Sequence, residues 1–299
     1  MDMLHISGLS KKFGDKTVLN GIDLSVPEHS IFGFIGKNGA GKTTTMKTVL
    51  GLLEADAGEI TVNGEKVVFG ETSTNKYIGY LPDVPEFYSF MTATEYLKFC
   101  GEISEMDKTD IDSRCKELLD LVGLSAEKHR IKGFSRGMKQ RLGIAQALLS
   151  KPKLLICDEP TSALDPVGRK EILDILLAVK EQTTVLFSTH ILSDVERICT
   201  DVAFLNNGVI ETQGKLSDIK TRYRKDEYFL EVENEADVEI LTQAFMPMKK
   251  KSNTQLEFCD NDIAVHDVLR FVADKKISIL KMERVEPTLE SLFMEVIEE

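Results

Sequence analysis

The stretch GKNGAGKT, Gly36 to Thr43, fits a narrow set of fold positions: a tight loop between a buried strand and the start of a helix. Ahead of it, IFGFI, Ile31 to Ile35, has the length and apolarity of a buried strand. Behind it, KTTTMKTVLGLLEADAGEI sets Met46, Val49, Leu50 and Leu53 at helical spacing, with Ala57-Gly58 reading as the turn that stops the helix. Gly36, Gly39 and Gly41 have no Cβ, so the backbone can wrap closely and aim its N–H groups at phosphates, backed by the positive end of the helix dipole. Lys42 is placed to neutralise the β- and γ-phosphates, and the Thr43 hydroxyl to ligate Mg²⁺. The whole segment, Gly36, Lys37, Asn38, Gly39, Ala40, Gly41, Lys42, Thr43 and Thr44, is the candidate nucleotide-binding loop.

A second stretch, LLICDEP from Leu154 to Pro160, delivers two carboxylates to the end of an apolar strand. Asp158 can reach the water shell of a metal, and Glu159 can polarise an attacking water. A capped helix start would also explain Asp-Glu here, but its pairing with the loop favours catalysis. Kinases acting on small molecules do not need that Glu, so its presence argues for hydrolysis.

Between Met3 and Gly36, short apolar runs alternate with turn signals at Phe13-Gly14-Asp15, Asn20-Gly21 and Val26-Pro27, which predicts several short strands. From Thr92 to about Leu149 the pattern is mostly helical. Strands return in KLLICDEP and TTVLFSTH with a helix between them, so a helical insert in an α/β core is the expected architecture. From about Tyr228 the chain reads strand, helix, strand, helix, strand, helix, a compact α+β appendage. In its last helix Leu289, Leu292, Phe293 and Val296 share one face.

FSRGMKQRLGIAQALL, Phe134 to Leu149, resembles the signature stretch of ATP-binding cassette (ABC) proteins: Ser135 and Gly137 match LSGGQ, while Phe134, Arg136 and Met138 depart from it. Alone, Ser-x-Gly before a helix is only a cap. Followed by Gln140, Arg141 and the LLICDEP strand at this distance, it carries the resemblance. Ser162 to Asp165, SALD, resembles the family's D-loop, His190 in LFSTH its switch histidine, and Phe13 in KKFGDKTVL the aromatic on which adenine stacks. The likeness covers about Leu4 to Gly214, and the ending EPTLESLF is similar to ABC ATPases of the bacitracin, lantibiotic and daunorubicin type.

This resemblance implies a P-loop (RecA-like) ATPase core with an N-terminal antiparallel β subdomain and an inserted helical subdomain at about 84–150, together spanning 1–220, followed by a small α+β domain at 226–299. It implies that Glu159 and His190 are the catalytic pair, His190 holding the γ-phosphate and the water. Two cassettes pair head to tail in this family, so Ser135, Arg136, Gly137, Met138 and Asp165 would serve the nucleotide at a shared interface. Asp83, in IGYLPDVPEF, stands where most members carry a Gln that touches the metal, and its carboxylate would join Thr43 and Asp158 around Mg²⁺. Lys37 replaces a usual Pro and is expected to face solvent.

Charge and composition limit the partners. The formal net charge is -12, and the one short basic run, Lys249 to Lys251, reads as a solvated turn. Such an acidic chain weighs against nucleic-acid binding. Five cysteines are scattered without metal spacing and read as reduced, hence cytosolic. No apolar run reaches 18 residues and the N-terminus lacks a signal-like segment, so the chain is not expected to cross a membrane. By resemblance the partners are a second cassette and a separate integral membrane permease. The chain would then sit at the cytoplasmic face and power export of peptide antibiotics, bacteriocins or drugs. Two or three of Phe87, Tyr88, Phe90, Tyr96 and Phe99 are expected to line a groove for a permease helix. The alternative is a soluble ABC ATPase acting as a switch on DNA or ribosomes. The ribosomal kind generally has two cassettes in one chain and the chromosomal kind long heptad repeats, and neither pattern occurs here. If Phe13 stacks on adenine, Phe13→Ala raises the ATP dissociation constant about 5- to 150-fold in an equilibrium titration.

Overall fold

The computed structural model describes residues 2–71, 73–223, 226–285 and 288–298. Glu286 and Pro287 of the EPTLESLF ending, and the side chain of Val296, lie outside the described residues.

The chain opens with β1 (Asp2–Phe13) and β2 (Lys16–Pro27), paired antiparallel across the Gly14-Asp15 turn. These are two long strands rather than several short ones. Asn20-Gly21 does not end β2; the register shifts there and Gly21 takes a φ of 66°, so the signal marks a bulge inside the strand. β3 (Ile31–Ile35) is buried throughout and leads through the glycine loop into α1 (Lys42–Val49). α1 stops well before the expected turn. Leu50 is its C-cap and Gly51, at φ 67°, carries the chain out of the helix, leaving Leu53 off the helix and only partly buried. Ala57-Gly58, expected as a turn, opens β4 (Ala57–Val62), followed by β5 (Glu65–Lys66) and β6 (Ile78–Leu81).

The helical stretch contains α2 (Ala93–Ile103), α3 (Lys108–Leu121) and α4 (Arg136–Ala147). Thr92 and Glu95 form a reciprocal capping box at the start of α2. Then come β7 (Leu154–Asp158), α5 (Pro166–Val179), β8 (Thr184–Thr189), α6 (Leu192–Ile198), β9 (Asp201–Asn206), β10 (Val209–Lys215) and α7 (Leu216–Arg222). One antiparallel sheet has the order β2-β1-β4-β5. The other has the order β10-β9-β3-β8-β7-β6, parallel from β9 to β6 with β10 antiparallel at one edge. β3, β7 and β8 are buried at every position, as strands covered on both faces must be. Leu4, Ile6 and Leu24 of the first sheet share a core with Phe32, Phe34 and Ile156 of the second and with Met46 of α1.

The chain divides into two compact units, residues 2–217 with 295–298, and residues 218–294. The second contains β11 (Glu227–Val232), α8 (Glu235–Ala244), β12 (Lys249–Lys250), β13 (Gln255–Cys259), α9 (Val265–Lys275) and β14 (Ile279–Arg284), and α10 (Leu289–Glu298) follows. Its sheet, ordered β12-β13-β11-β14, buries Leu230, Leu256 and Phe258 with Val238 and Leu241 of α8 and Val268 and Val272 of α9. Lys249 and Lys250 form an exposed edge strand, not the expected turn; charge there blunts a sheet edge against further pairing. All five cysteines are free, and burial pushes the Cys157 thiol far up, which keeps it unreactive. Among the described residues no helix is long and apolar enough to cross a membrane.

α4 lies so close to β6 that a Cβ at Gly79 would run into the Ala147 carbonyl oxygen. Gly79→Ala is therefore expected to lower unfolding stability by about 1–3 kcal/mol, read from urea or thermal melts.

Candidate functional site

β3 and β8 are paired in register, and the Gly36 N–H donates to the Thr189 carbonyl at 3.4 Å, so the glycine loop starts at the carboxyl end of the parallel sheet. Gly41 takes φ 116°, and a Cβ there would come within 2.6 Å of Leu19 Cδ2, so both conformation and space require glycine. Lys37, Asn38 and Gly39 are exposed, whereas Ala40, Gly41 and Lys42 are buried. Lys42 Nζ donates to the Gly36 carbonyl at 2.6 Å and the Lys37 carbonyl at 3.3 Å, and lies 3.1 Å from Glu159 Oε1. The ammonium is thus held at the centre of the loop.

Asp158, at the end of β7, uses both carboxylate oxygens. Oδ2 accepts from the Thr43 hydroxyl at 2.7 Å and Oδ1 from the Ser188 hydroxyl at 2.6 Å. Glu159 takes φ 50°, a conformation that costs a non-glycine residue about 1–3 kcal/mol. It is held there by its N–H, which donates to Ser188 Oγ at 3.0 Å and the Ser188 carbonyl at 3.2 Å. The strained turn aims the Glu159 carboxylate so that Oε2 lies 2.9 Å from His190 Nδ1 while Oε1 faces Lys42.

Lys42, Thr43, Asp158 and Glu159 line a cavity of about 310 Å³ with Val18, Asn38, Gly39, Gly41, Thr44 and Asp83, while His190 and Ser188 stand behind Glu159 and Asp158 and are not among its lining residues. A larger cavity of about 630 Å³ lies between α3, α5 and the segment after α4, but it holds none of this convergent chemistry, so size does not identify the site. Burial, then the nearby charges of Asp158, Cys157 and Asp83, push the Tyr80 phenol up to about 12. The donor set suits a hard cation beside phosphates: Thr43 and Asp158 supply oxygens, and Mg²⁺ commonly takes one or two carboxylates with the rest from phosphate and water. Asp83 is at the cavity wall, where its Oδ1 accepts from Ser162 Oγ at 2.8 Å and lies 3.5 Å from the Arg136 guanidinium.

A family model for the ABC transporter matches residues 19–162, and one for the C-terminal domain of the DrrA1-3-like ATP-binding protein matches 214–297. The uncharacterised ABC transporter ATP-binding protein YxlF of Bacillus subtilis is 38% identical over 298 residues, 99% of either chain. The chain belongs to the ABC transporter ATP-binding proteins. The bacitracin transport ATP-binding protein BcrA of Bacillus licheniformis is 34% identical over 307 residues, covering 99% of this cassette's chain and 97% of its own. A solved ATP-binding subunit of an ABC transporter superposes with a TM-score of 0.66 at 32% identity, over 74% of this chain and 93% of that one. The α/β architecture with its antiparallel sheet is accordingly that of an ABC ATPase, a family that binds and hydrolyses ATP.

Not every residue singled out in the cassette's sequence reaches the cavity. Phe13, half exposed at the β1–β2 hairpin, has Lys11 Nζ 5.6 Å from its ring centroid and does not line it. Ser135 caps α4 by accepting from the Met138 N–H at 3.2 Å, and Asp165 caps α5 by accepting from the Gly168 N–H at 3.1 Å. Ser135, Arg136, Gly137, Met138 and Asp165 all lie off this chain's own nucleotide cavity. Of the five aromatic residues, two or three of which were expected at a groove, Phe87 lines the neighbouring cavity of about 480 Å³, with Asp83, Arg136 and Gln140. Tyr96 is buried and its hydroxyl donates to Gln146 Oε1 at 3.0 Å, whereas Tyr88 and Phe90 are exposed.

Ser188, which donates to Asp158, carries no mark in the sequence reading, whereas Ser162 and Gln140 were noted only as parts of the D-loop and signature stretches and turn out to hold Asp83: the Ser162 hydroxyl donates to its carboxylate, and the Gln140 amide donates to its backbone carbonyl at 2.8 Å. The signal for Ser188 is its place two positions before His190, and reading it requires the Asp158–Ser188 register of two strands distant in sequence. Ser188→Ala leaves Asp158 Oδ1 buried without that donor. The expected cost is about 1–3 kcal/mol of unfolding free energy, measured by chemical denaturation.

Proposed function

We propose that this cassette hydrolyses Mg-ATP to power a separate integral membrane permease that exports a peptide antibiotic, a bacteriocin or a drug. The observation that carries the hydrolytic reading is the Glu159 carboxylate set between the Lys42 ammonium at 3.1 Å and His190 Nδ1 at 2.9 Å, at the wall of the glycine-loop cavity. In that arrangement the loop N–H groups and Lys42 bind the phosphates, Thr43 and Asp158 hold Mg²⁺ with Asp83 beside them, and Phe13 stacks on the base. Mg²⁺ supplies neutralisation of the phosphate oxygens. Glu159 orients and deprotonates the attacking water, and His190 holds Glu159 and the γ-phosphate in place.

Two considerations support the export reading. The likeness to BcrA, named for bacitracin transport, runs the length of both chains, and the second unit matches the DrrA-like C-terminal model. The permease would hold the cassette at the cytoplasmic face of the membrane, docking near Phe87 and the exposed Tyr88 and Phe90. The signature residues Ser135, Arg136, Gly137 and Met138, with Asp165, would close over the nucleotide of a second cassette, since they lie off the cavity of their own.

Glu159→Gln tests both parts. It is expected to lower turnover about 10²- to 10⁴-fold while ATP still binds, and to accumulate an ATP-dependent dimer in sedimentation. Adding Ser135→Arg dissolves that dimer by steric and charge intrusion. Unchanged turnover removes Glu159 from the chemistry, and a dimer indifferent to ATP refutes the clamp.

A further inference from the structure

Asp194 is a buried carboxylate that the proposed chemistry leaves unused; it is 4% exposed, on the first turn of α6, four positions after His190. Its Oδ2 accepts from the Thr161 hydroxyl at 2.7 Å. Thr161 is fully buried and stands two positions after Glu159. Asp194 Oδ1 accepts from the Arg169 guanidinium of α5, also at 2.7 Å, and the same nitrogen lies 3.4 Å from Ser193 Oγ. A carboxylate so deep in the core is stable only while such donors meet it.

The placement of this trio is what matters. The turn from Glu159 to Asp165 has left-handed conformations at Glu159, φ 50°, and at Ala163, φ 53°, with Thr161 midway between them. Inside the turn the backbone makes one good bond, Ser162 N–H to the Glu159 carbonyl at 3.1 Å, and one long one, Leu164 N–H to the Thr161 carbonyl at 3.4 Å. From outside, the Glu159 N–H is held by Ser188 and the Ser162 hydroxyl donates to Asp83, but neither bond reaches the helix that follows His190. The His190–Glu159 bond is a poor anchor, because the His190 side chain is 46% exposed and water competes for it. The Thr161–Asp194 bond is dry and joins the same two segments from beneath.

We propose that Thr161, Asp194 and Arg169 are positioning residues, a buried tether that holds the helix after His190 against the turn carrying Glu159 and so sets the distance between those two side chains. The proposal rests on the reading of Glu159 and His190 as the hydrolytic pair, and it adds what keeps that pair assembled. Because Arg169 lies on α5, which starts at the Asp165 cap, the tether also couples the pair to the segment proposed to face a second cassette.

The experiment compares the full-length chain with Thr161→Val, Thr161→Ser, His190→Ala and the His190→Ala/Thr161→Val double variant. ATP affinity is read by displacement of a fluorescent ATP analogue, turnover by phosphate release, and the imidazole by NMR of ¹⁵N-histidine-labelled protein. Thr161→Val, which keeps the shape and loses the hydroxyl, is expected to lower kcat about tenfold while the ATP dissociation constant moves less than about twofold. Thr161→Ser stays within about threefold of the parent, and in the His190→Ala background Thr161→Val costs less than about twofold further, because it acts through His190. The His190 Nδ1 signal, assigned by its loss in His190→Ala, broadens in Thr161→Val and persists in Thr161→Ser. That signal alone decides if turnover is too slow to measure. Should Thr161→Val fail to fold, Arg169→Gln, at a side chain 29% exposed, carries the same expectations. Equal losses of kcat in both backgrounds, no rescue by serine, or an unchanged imidazole signal would overturn the tether. An unaltered kcat in Thr161→Val beside an impaired His190→Ala overturns it while leaving the hydrolytic pair standing. An unaltered kcat in His190→Ala overturns the pair and the tether together.

Discussion

One buried carboxylate, Asp158, holds the centre of the cassette together. It is 3% exposed, so its charge is a heavy cost unless both oxygens are met, and they are met by hydroxyls from two different segments. Thr43 ties it to the first turn of α1 and Ser188 to β8, while its own backbone belongs to β7. The N-terminal end of α1 adds a partial positive charge on the same side, and Lys42 a full one. Three elements separated in sequence are thereby pinned at one point, and the nucleotide cavity opens beside it. Hydrophobic burial of β3, β7 and β8 sets the sheet, but this polar knot sets where the loop and strand ends stand relative to one another.

The parts legible in the sequence were those written locally. IFGFI, GKNGAGKT and LLICD each carry their conformation in adjacent residues, and Ile31–Ile35 is a strand as read. Turn signals were less dependable, because Gly-containing pairs also serve bulges and strand starts. Asn20-Gly21 is absorbed inside β2, and Ala57-Gly58 opens β4 where β1 runs alongside. α1 is shorter than its apolar spacing implied because Gly51 adopts a left-handed conformation that the period of Met46, Val49 and Leu50 cannot reveal. Which of the aromatic residues after Asp83 face a groove was not legible for a related reason: Tyr96 and Phe87 are close in sequence, yet Tyr96 is turned into the core on α2 while Phe87 stands at a cavity.

What stayed hidden is non-local. Ser188 and Asp194 are ordinary polar residues in their own neighbourhoods, and each acquires its meaning from a partner 30 or more positions away, Asp158 for Ser188 and Thr161 for Asp194. The same region breaks local rules most openly, with Glu159 and Ala163 both in conformations that L-residues avoid. Such violations persist only where surrounding bonds over-determine them, and here the bonds come from β8 and α6.

The order of strands around β3 has a consequence in time. Its sheet neighbours are β8 and β9, so Ile35 pairs with Thr189 and Phe204 and with nothing made near it in the chain. During synthesis the glycine loop emerges early, but the strand that presents it stays without flanking strands until about 150 further residues have been added, roughly 8–30 s at ordinary elongation rates. Through that interval the first sheet can already close, since β1, β2 and β4 are complete by Val62. The nascent cassette is thus a β-sheet with an apolar strand waiting beside it, and nucleotide has no finished pocket to enter until the last third of the core has left the ribosome.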